Sequence, residues 1–136
     1  MKITIINNSL QNFKTRQIEV VAKVVVNSFK VCRYKKADLC VYVVDDYYIK
    51  KINTKYRNID KVTDVLSFPM RDNNYLGDIV FSIERMKIQA KELGHSNDRE
   101  LGFFIAHSML HMFGYDHCDE MFLMQEKILQ KTGLYR

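Results

Sequence analysis

The chain has 136 residues, of which 47% are hydrophobic and 27% charged, and a formal net charge of +5. That length suits one domain whose core buries roughly two-thirds of the unfolded surface, and the composition excludes a disordered chain. Apolar runs such as those at 24–26 and 41–44 are too short to cross a bilayer, and three cysteines (Cys32, Cys40, Cys118) without a close pairing pattern exclude a disulfide framework.

Residues 2–6 read as a short strand, and Asn7 and Asn8 end its apolar run too early for a signal peptide, so a cytoplasmic location is expected. Ile18, Val21, Ala22, Val25 and Phe29 share one face of a helix over 14–29. Residues 39–45 form an apolar strand with Cys40 buried. Asp45 and Asp46 then cap a helix over 46–56 with Tyr48, Ile49, Ile52 and Tyr56 inward. A strand at 65–68 closes at Pro69, a turn follows at 72–74, and a further strand runs over 78–81. Ser82 caps a helix that Gly94 stops after Leu93. His95 is expected to be exposed. Asn97 or Asp98 opens a helix ending near Gly114, and a last helix spans 119–131 before Gly133. The order β-α-β-α-β-β-α-α-α predicts an α+β fold, a small mixed sheet of four strands covered by five helices in a single domain over 1–136.

Charge is uneven along the chain. Residues 14–61 carry 12 Lys and Arg against 5 Asp and Glu, which favours a polyanionic partner such as nucleic acid. Lys50, Lys51, Lys55 and Lys61 can follow a nucleic-acid backbone, with Tyr47, Tyr48 or Tyr56 as stacking faces, although most of these tyrosines are expected in the core.

The most informative stretch is HSMLHMFGYDH at 107–117. His107 and His111 stand one above the other on a helical face, so both imidazoles can aim at one point. Gly114 lets the chain leave the helix and bring His117 back as a third ligand. Three neutral imidazoles suit one zinc ion and leave its fourth position open, as in catalytic rather than structural sites. Metzincin proteases share the spacing but place Glu, their general base, directly after the first histidine. Here that position is Ser108, which cannot act as a base at neutral pH, so the zinc scaffold is present without the protease's base. Asp116 can orient a ligand histidine or cap the turn. Asp64 and Asp78 are expected to be structural, and Met109, Met112, Met121 and Met124 to pack in the core. Cys118, beside His117, is expected to be structural too.

The 107–117 stretch also resembles the signature of the YbeY endoribonucleases, H-G-x-L-H-L-x-G-Y-D-H. Ser108 and Met112 are its departures, and neither removes a ligand. YR at 56–57 with TDVLSFP at 63–69, GDIV at 77–80, and Met124, Glu126 and Leu129 near the end are similar to further blocks of that family. The resemblance covers most of the chain from about residue 38. It implies a zinc-dependent, single-strand-specific endoribonuclease acting in 3′-end maturation of small-subunit ribosomal RNA and in ribosome quality control. Its partners would be single-stranded RNA, the small ribosomal subunit, and ribosomal proteins or an assembly GTPase, with no membrane. It also implies a catalytic role for Arg57, whose guanidinium can grip phosphate bidentately. Two other readings use the same residues. One is a ribosome-assembly factor that binds RNA or protein and carries a structural zinc. The other is a zinc hydrolase of a different substrate, against which Ser108 stands.

Overall fold

Leu39, Val41 and Val43 alternate with Cys40, Tyr42 and Val44, so both faces of this strand (β2, Asp38–Val44) are apolar enough to be covered. β2 lies inside a four-stranded sheet of order β1-β2-β4-β3, with β1 at Ile3–Asn7, β3 at Val65–Pro69 and β4 at Tyr75–Ser82. β1, β2 and β4 are parallel, and β3 pairs antiparallel to β4 at the edge. Five helices complete the chain: α1 (Arg16–Ser28), α2 (Asp46–Arg57), α3 (Ile83–Leu93), α4 (Asn97–Met112) and α5 (Asp119–Lys131). This computed structural model describes residues 2–12, 14–28, 37–70, 72, 74–114 and 119–133. The element order and the α+β class agree with the sequence expectation. Cys32, Cys118 and His117 lie outside the described residues.

The main core lies on one side of the sheet. Leu39, Val41, Val43, Ile79 and Phe81 from the strands meet Ile18, Val21 and Val25 of α1, Met86 of α3, Phe104, Ile105 and Met109 of α4, and Met121 of α5. A smaller cluster of Val44, Ile49, Leu66 and Val80 lies under α2 on the opposite side. α2 therefore covers its face without a neighbouring layer of helices as broad as that on the other side. This corrects the inward placement of Tyr48 and Tyr56: they are 50% and 61% exposed, while Ile49 and Asn53 are the buried residues of α2. Tyr47 is also exposed. Helical spacing identified the right stripe but not its width, because the sheet beneath one isolated helix takes up only its central positions.

Two further differences have local causes. β4 starts at Tyr75 rather than 78, because a register shift opposite Asp38 and Leu39 breaks the alternation that marks a strand. Gly77, inside β4, has φ +150, and a Cβ there would sit 2.4 Å from the Phe68 carbonyl oxygen. Only glycine fits that approach of β3 to β4. Pro69, expected to close β3, is its last paired residue, tolerated on an edge strand. His95 is not fully exposed: its Nδ1 lies 3.3 Å from Oε2 of the buried Glu100.

The starts of α3 and α4 follow ordinary capping chemistry, whereas Asp45, expected to cap α2 together with Asp46, stands at its N-cap without a side-chain cap hydrogen bond. Ser82 accepts from the Arg85 N–H and Ser96 from the Arg99 N–H, so α4 begins one residue after its Ser96 cap. Asp46 links α2 to α3, accepting from Ser82 Oγ at 2.6 Å and pairing with Arg85 at 3.0 Å. Among the described residues, no helix is long and apolar enough to cross a membrane.

Candidate metal centre

α4 is buried on nearly every side, as its apolar composition all round requires. Phe103, His107 and His111 form a stripe of partly buried residues along it, at spacing i, i+4, i+8. This stripe forms one wall of a cavity of about 890 Å³. The opposite wall is the end of α2, the loop after it, and the face of β3 that carries Val65, Ser67 and Pro69.

Within the stripe, the Nε2 atoms of His107 and His111 are 3.1 Å apart and the ring planes are nearly perpendicular, at 85°. Two nitrogens held at about 2.0–2.1 Å by a tetrahedral zinc would stand about 3.3 Å apart, so the pair fits a single ion between its Nε2 atoms. His107 is held on two sides. Phe103 stacks on its ring at 5.5 Å and 25°, and Gln125 Nε2 lies 2.9 Å from its Nδ1. No group of three candidate metal-binding side chains is present among the described residues. The two histidines brought together are the described part of the expected set of three.

Arg57 is the last residue of α2, and Asn58 after it takes a left-handed conformation, φ 58, which turns the chain out of the helix. The guanidinium donates to the Ser67 carbonyl at 2.8 Å and lies 5.4 Å from the Phe68 ring centre. These contacts keep Arg57 in the lining of the cavity that contains His107 and His111. Asn53, buried on α2, donates to the Lys61 carbonyl at 3.0 Å and so fixes the loop that brings Lys61 to the same cavity.

The remaining candidates separate clearly. Ser108 is fully buried and its Oγ has no hydrogen-bond partner, so it faces the core and does not substitute for a glutamate beside the histidines. Asp64 accepts from the Val65 N–H at 2.7 Å and from Gln89 at 3.3 Å, which commits both carboxylate oxygens to the fold. Asp78 accepts from the Tyr75 hydroxyl. Burial and that hydrogen bond push the Tyr75 phenol above its usual range. Along the exposed side of α2, Lys51 Nζ lies 4.4 Å from the Tyr47 ring centre and Lys55 Nζ 5.2 Å from that of Tyr56. Lys51 also draws the Tyr47 phenol down from its ordinary pKa through a hydrogen bond.

Sequence reasoning missed Gln125, Phe103 and Asn53. Gln125 left a signal: it is the polar member of an apolar stripe with Met121, Ile128 and Leu129. Phe103 left another, one turn before His107.

Comparison with known proteins agrees over nearly the whole chain. A family model described as Endoribonuclease YbeY matches residues 3–133. The chain is 45% identical to Endoribonuclease YbeY of Acholeplasma laidlawii, over 90% of this chain and 92% of that one. It is 38% identical to the Syntrophomonas wolfei protein of the same name, over the full length of both. Its fold is similar to the solution structure of TM1509 from Thermotoga maritima, with a TM-score of 0.69 at 25% identity, covering 96% of this chain and 88% of that one.

Proposed function

The chain belongs to the YbeY endoribonuclease family, and from that premise we propose that it is a zinc-dependent endoribonuclease that cuts single-stranded RNA at the cavity between α4 and α2. The observation that carries this reading is the convergence of His107 and His111 on one point of a cavity that Arg57 also lines. His107, His111 and His117 would hold the ion. When bound, zinc supplies Lewis acidity toward a phosphoryl oxygen and acidifies water near neutral pH.

The chain's own residues do the rest. Arg57 uses one N–H on the Ser67 carbonyl and rests on Phe68, so the orientation of its fork is set before substrate arrives. Its other donors grip the scissile phosphate and balance the charge that grows on its oxygens. Lys61 adds positive charge to the same wall, and Lys50, Lys51 and Lys55 extend it along α2. The exposed Tyr47, Tyr48 and Tyr56 offer faces for unpaired bases. In the cell the substrate would be small-subunit ribosomal RNA, at its 3′ end and in ribosome quality control. The small subunit, ribosomal proteins and an assembly GTPase would be partners, in the cytoplasm.

The test is cleavage of single-stranded ribosomal RNA by highly purified protein, beside the His111→Ala and Arg57→Ala variants. Cleavage by the unchanged protein and loss in both variants is expected. Equal activity in all three would assign the cleavage to a contaminant. Cleavage of casein but not RNA would favour a protease.

A further inference from the structure

We infer that Gln125 is the positioning residue of the metal centre: its amide fixes the ring of His107 so that Nε2 faces the point shared with His111. The inference rests on the zinc reading above. Gln125 is 4% exposed and belongs to the face of α5 that enters the core beside Met121, Ile128 and Leu129. An amide buried to this extent is costly unless it is hydrogen-bonded. Its contact is with the ring of His107, 18 residues earlier in the chain, at 2.9 Å.

An imidazole on a helix can turn about two bonds. Stacking on Phe103 fixes the plane of the His107 ring, and the Gln125 contact at Nδ1 fixes which edge faces the cavity. The polarity of that contact depends on the proton. When the amide presents Nε2, His107 Nδ1 accepts, and the ring proton sits on Nε2, facing His111 Nε2 at 3.1 Å. An ion between the rings needs the lone pair at Nε2 and the proton at Nδ1, and so an acceptor at Gln125. A half-turn of the amide brings Oε1 to the same place. Glutamine therefore serves both states of the histidine pair. Glutamate serves the metal-loaded state through its acceptor oxygens, and a hydrocarbon of the same shape serves neither.

Zinc affinity tests this, measured by competition with a chromophoric chelator and read alongside the visible absorption of the cobalt(II) form. Gln125→Met should weaken zinc binding about 10- to 100-fold, with the melting temperature of the metal-free chain within a few degrees of the unchanged protein. Gln125→Glu should bind zinc at least as tightly as the unchanged protein and shift the cobalt absorption band, because a carboxylate makes the ring a stronger donor. Zinc binding by Gln125→Met equal to that of the unchanged protein would overturn the inference and leave the zinc reading standing. If the methionine variant does not fold, the glutamate variant decides alone: lost affinity, or an unshifted band, overturns the inference. An unchanged protein that binds no zinc would overturn the zinc reading itself, and this inference with it.

Discussion

The two faces of the sheet are covered unequally. Toward α1, α4 and α5 the strands meet a continuous core in which Ile18, Leu39, Phe81, Ile105 and Met109 are almost wholly buried. Toward α2 the cluster is small, and the same helix holds Tyr47, Tyr48 and Tyr56 out toward solvent among its lysines. The candidate site lies where the two regimes meet, with its histidines on a core helix and Arg57 at the end of the exposed one. Rigid support and accessible charge thus come from different sides of β3.

Substitutions on the two faces should therefore separate stability from RNA handling. Phe81→Ala should cost about 3–5 kcal/mol of stability, read by denaturant unfolding. Arg57→Ala should leave stability and zinc affinity near those of the unchanged protein but slow RNA cleavage about 100-fold or more. Arg57→Lys should recover little, because lysine lacks the planar fork that meets both the Ser67 carbonyl and a phosphate. Tyr56→Ala removes an edge contact with Phe68 at 5.6 Å and a 61% exposed ring. It should cost less than about 1 kcal/mol of stability and weaken single-stranded RNA binding about 5- to 100-fold in a filter-binding or anisotropy assay. A large stability loss at Tyr56 would merge the two faces into one core.

Smaller effects are expected from one group on each side of the sheet. Ser108→Ala deletes a buried hydroxyl without a partner, so it should stabilise the chain by about 1 kcal/mol, seen as a melting temperature a few degrees higher. On the α2 side, Tyr42 has its pKa raised to about 12, first by its hydrogen bond with Cys40 and then by the charge of that neighbour and by burial. The folded chain thus holds the neutral phenol longer than the unfolded chain, whose tyrosines ionise near about 10. The stability this contributes is complete below the unfolded value and is lost as pH rises from there through about 12. Thermal melts across that window should fall less steeply in Tyr42→Phe.

Much of this arrangement was legible in the sequence. The helical periodicity of α1, the cap at Ser82, and the i, i+4 histidines all depend on neighbours within a turn or two. The exposure of Tyr48 and Tyr56 was not legible, because an apolar stripe does not say how much sheet lies beneath it. Nor was the start of β4, where Gly77 and a register shift interrupt the alternation. Arg57 was found through its family block, while its hold on Ser67 and Phe68 depends on β3 folding back beside α2. Gln125 and His107 are far apart in sequence, so their contact exists only once α5 has packed on α4.

Stepwise return of zinc to chelator-stripped protein, with cleavage of an end-labelled single-stranded RNA followed at each step, decides whether one metal ion at the histidine pair performs the cleavage. Cleavage should be lost on stripping, rise linearly to one zinc per chain and then level off, and stay absent in His111→Ala at every step. Cleavage that survives stripping, or that zinc restores equally in His111→Ala, would contradict that role of the metal.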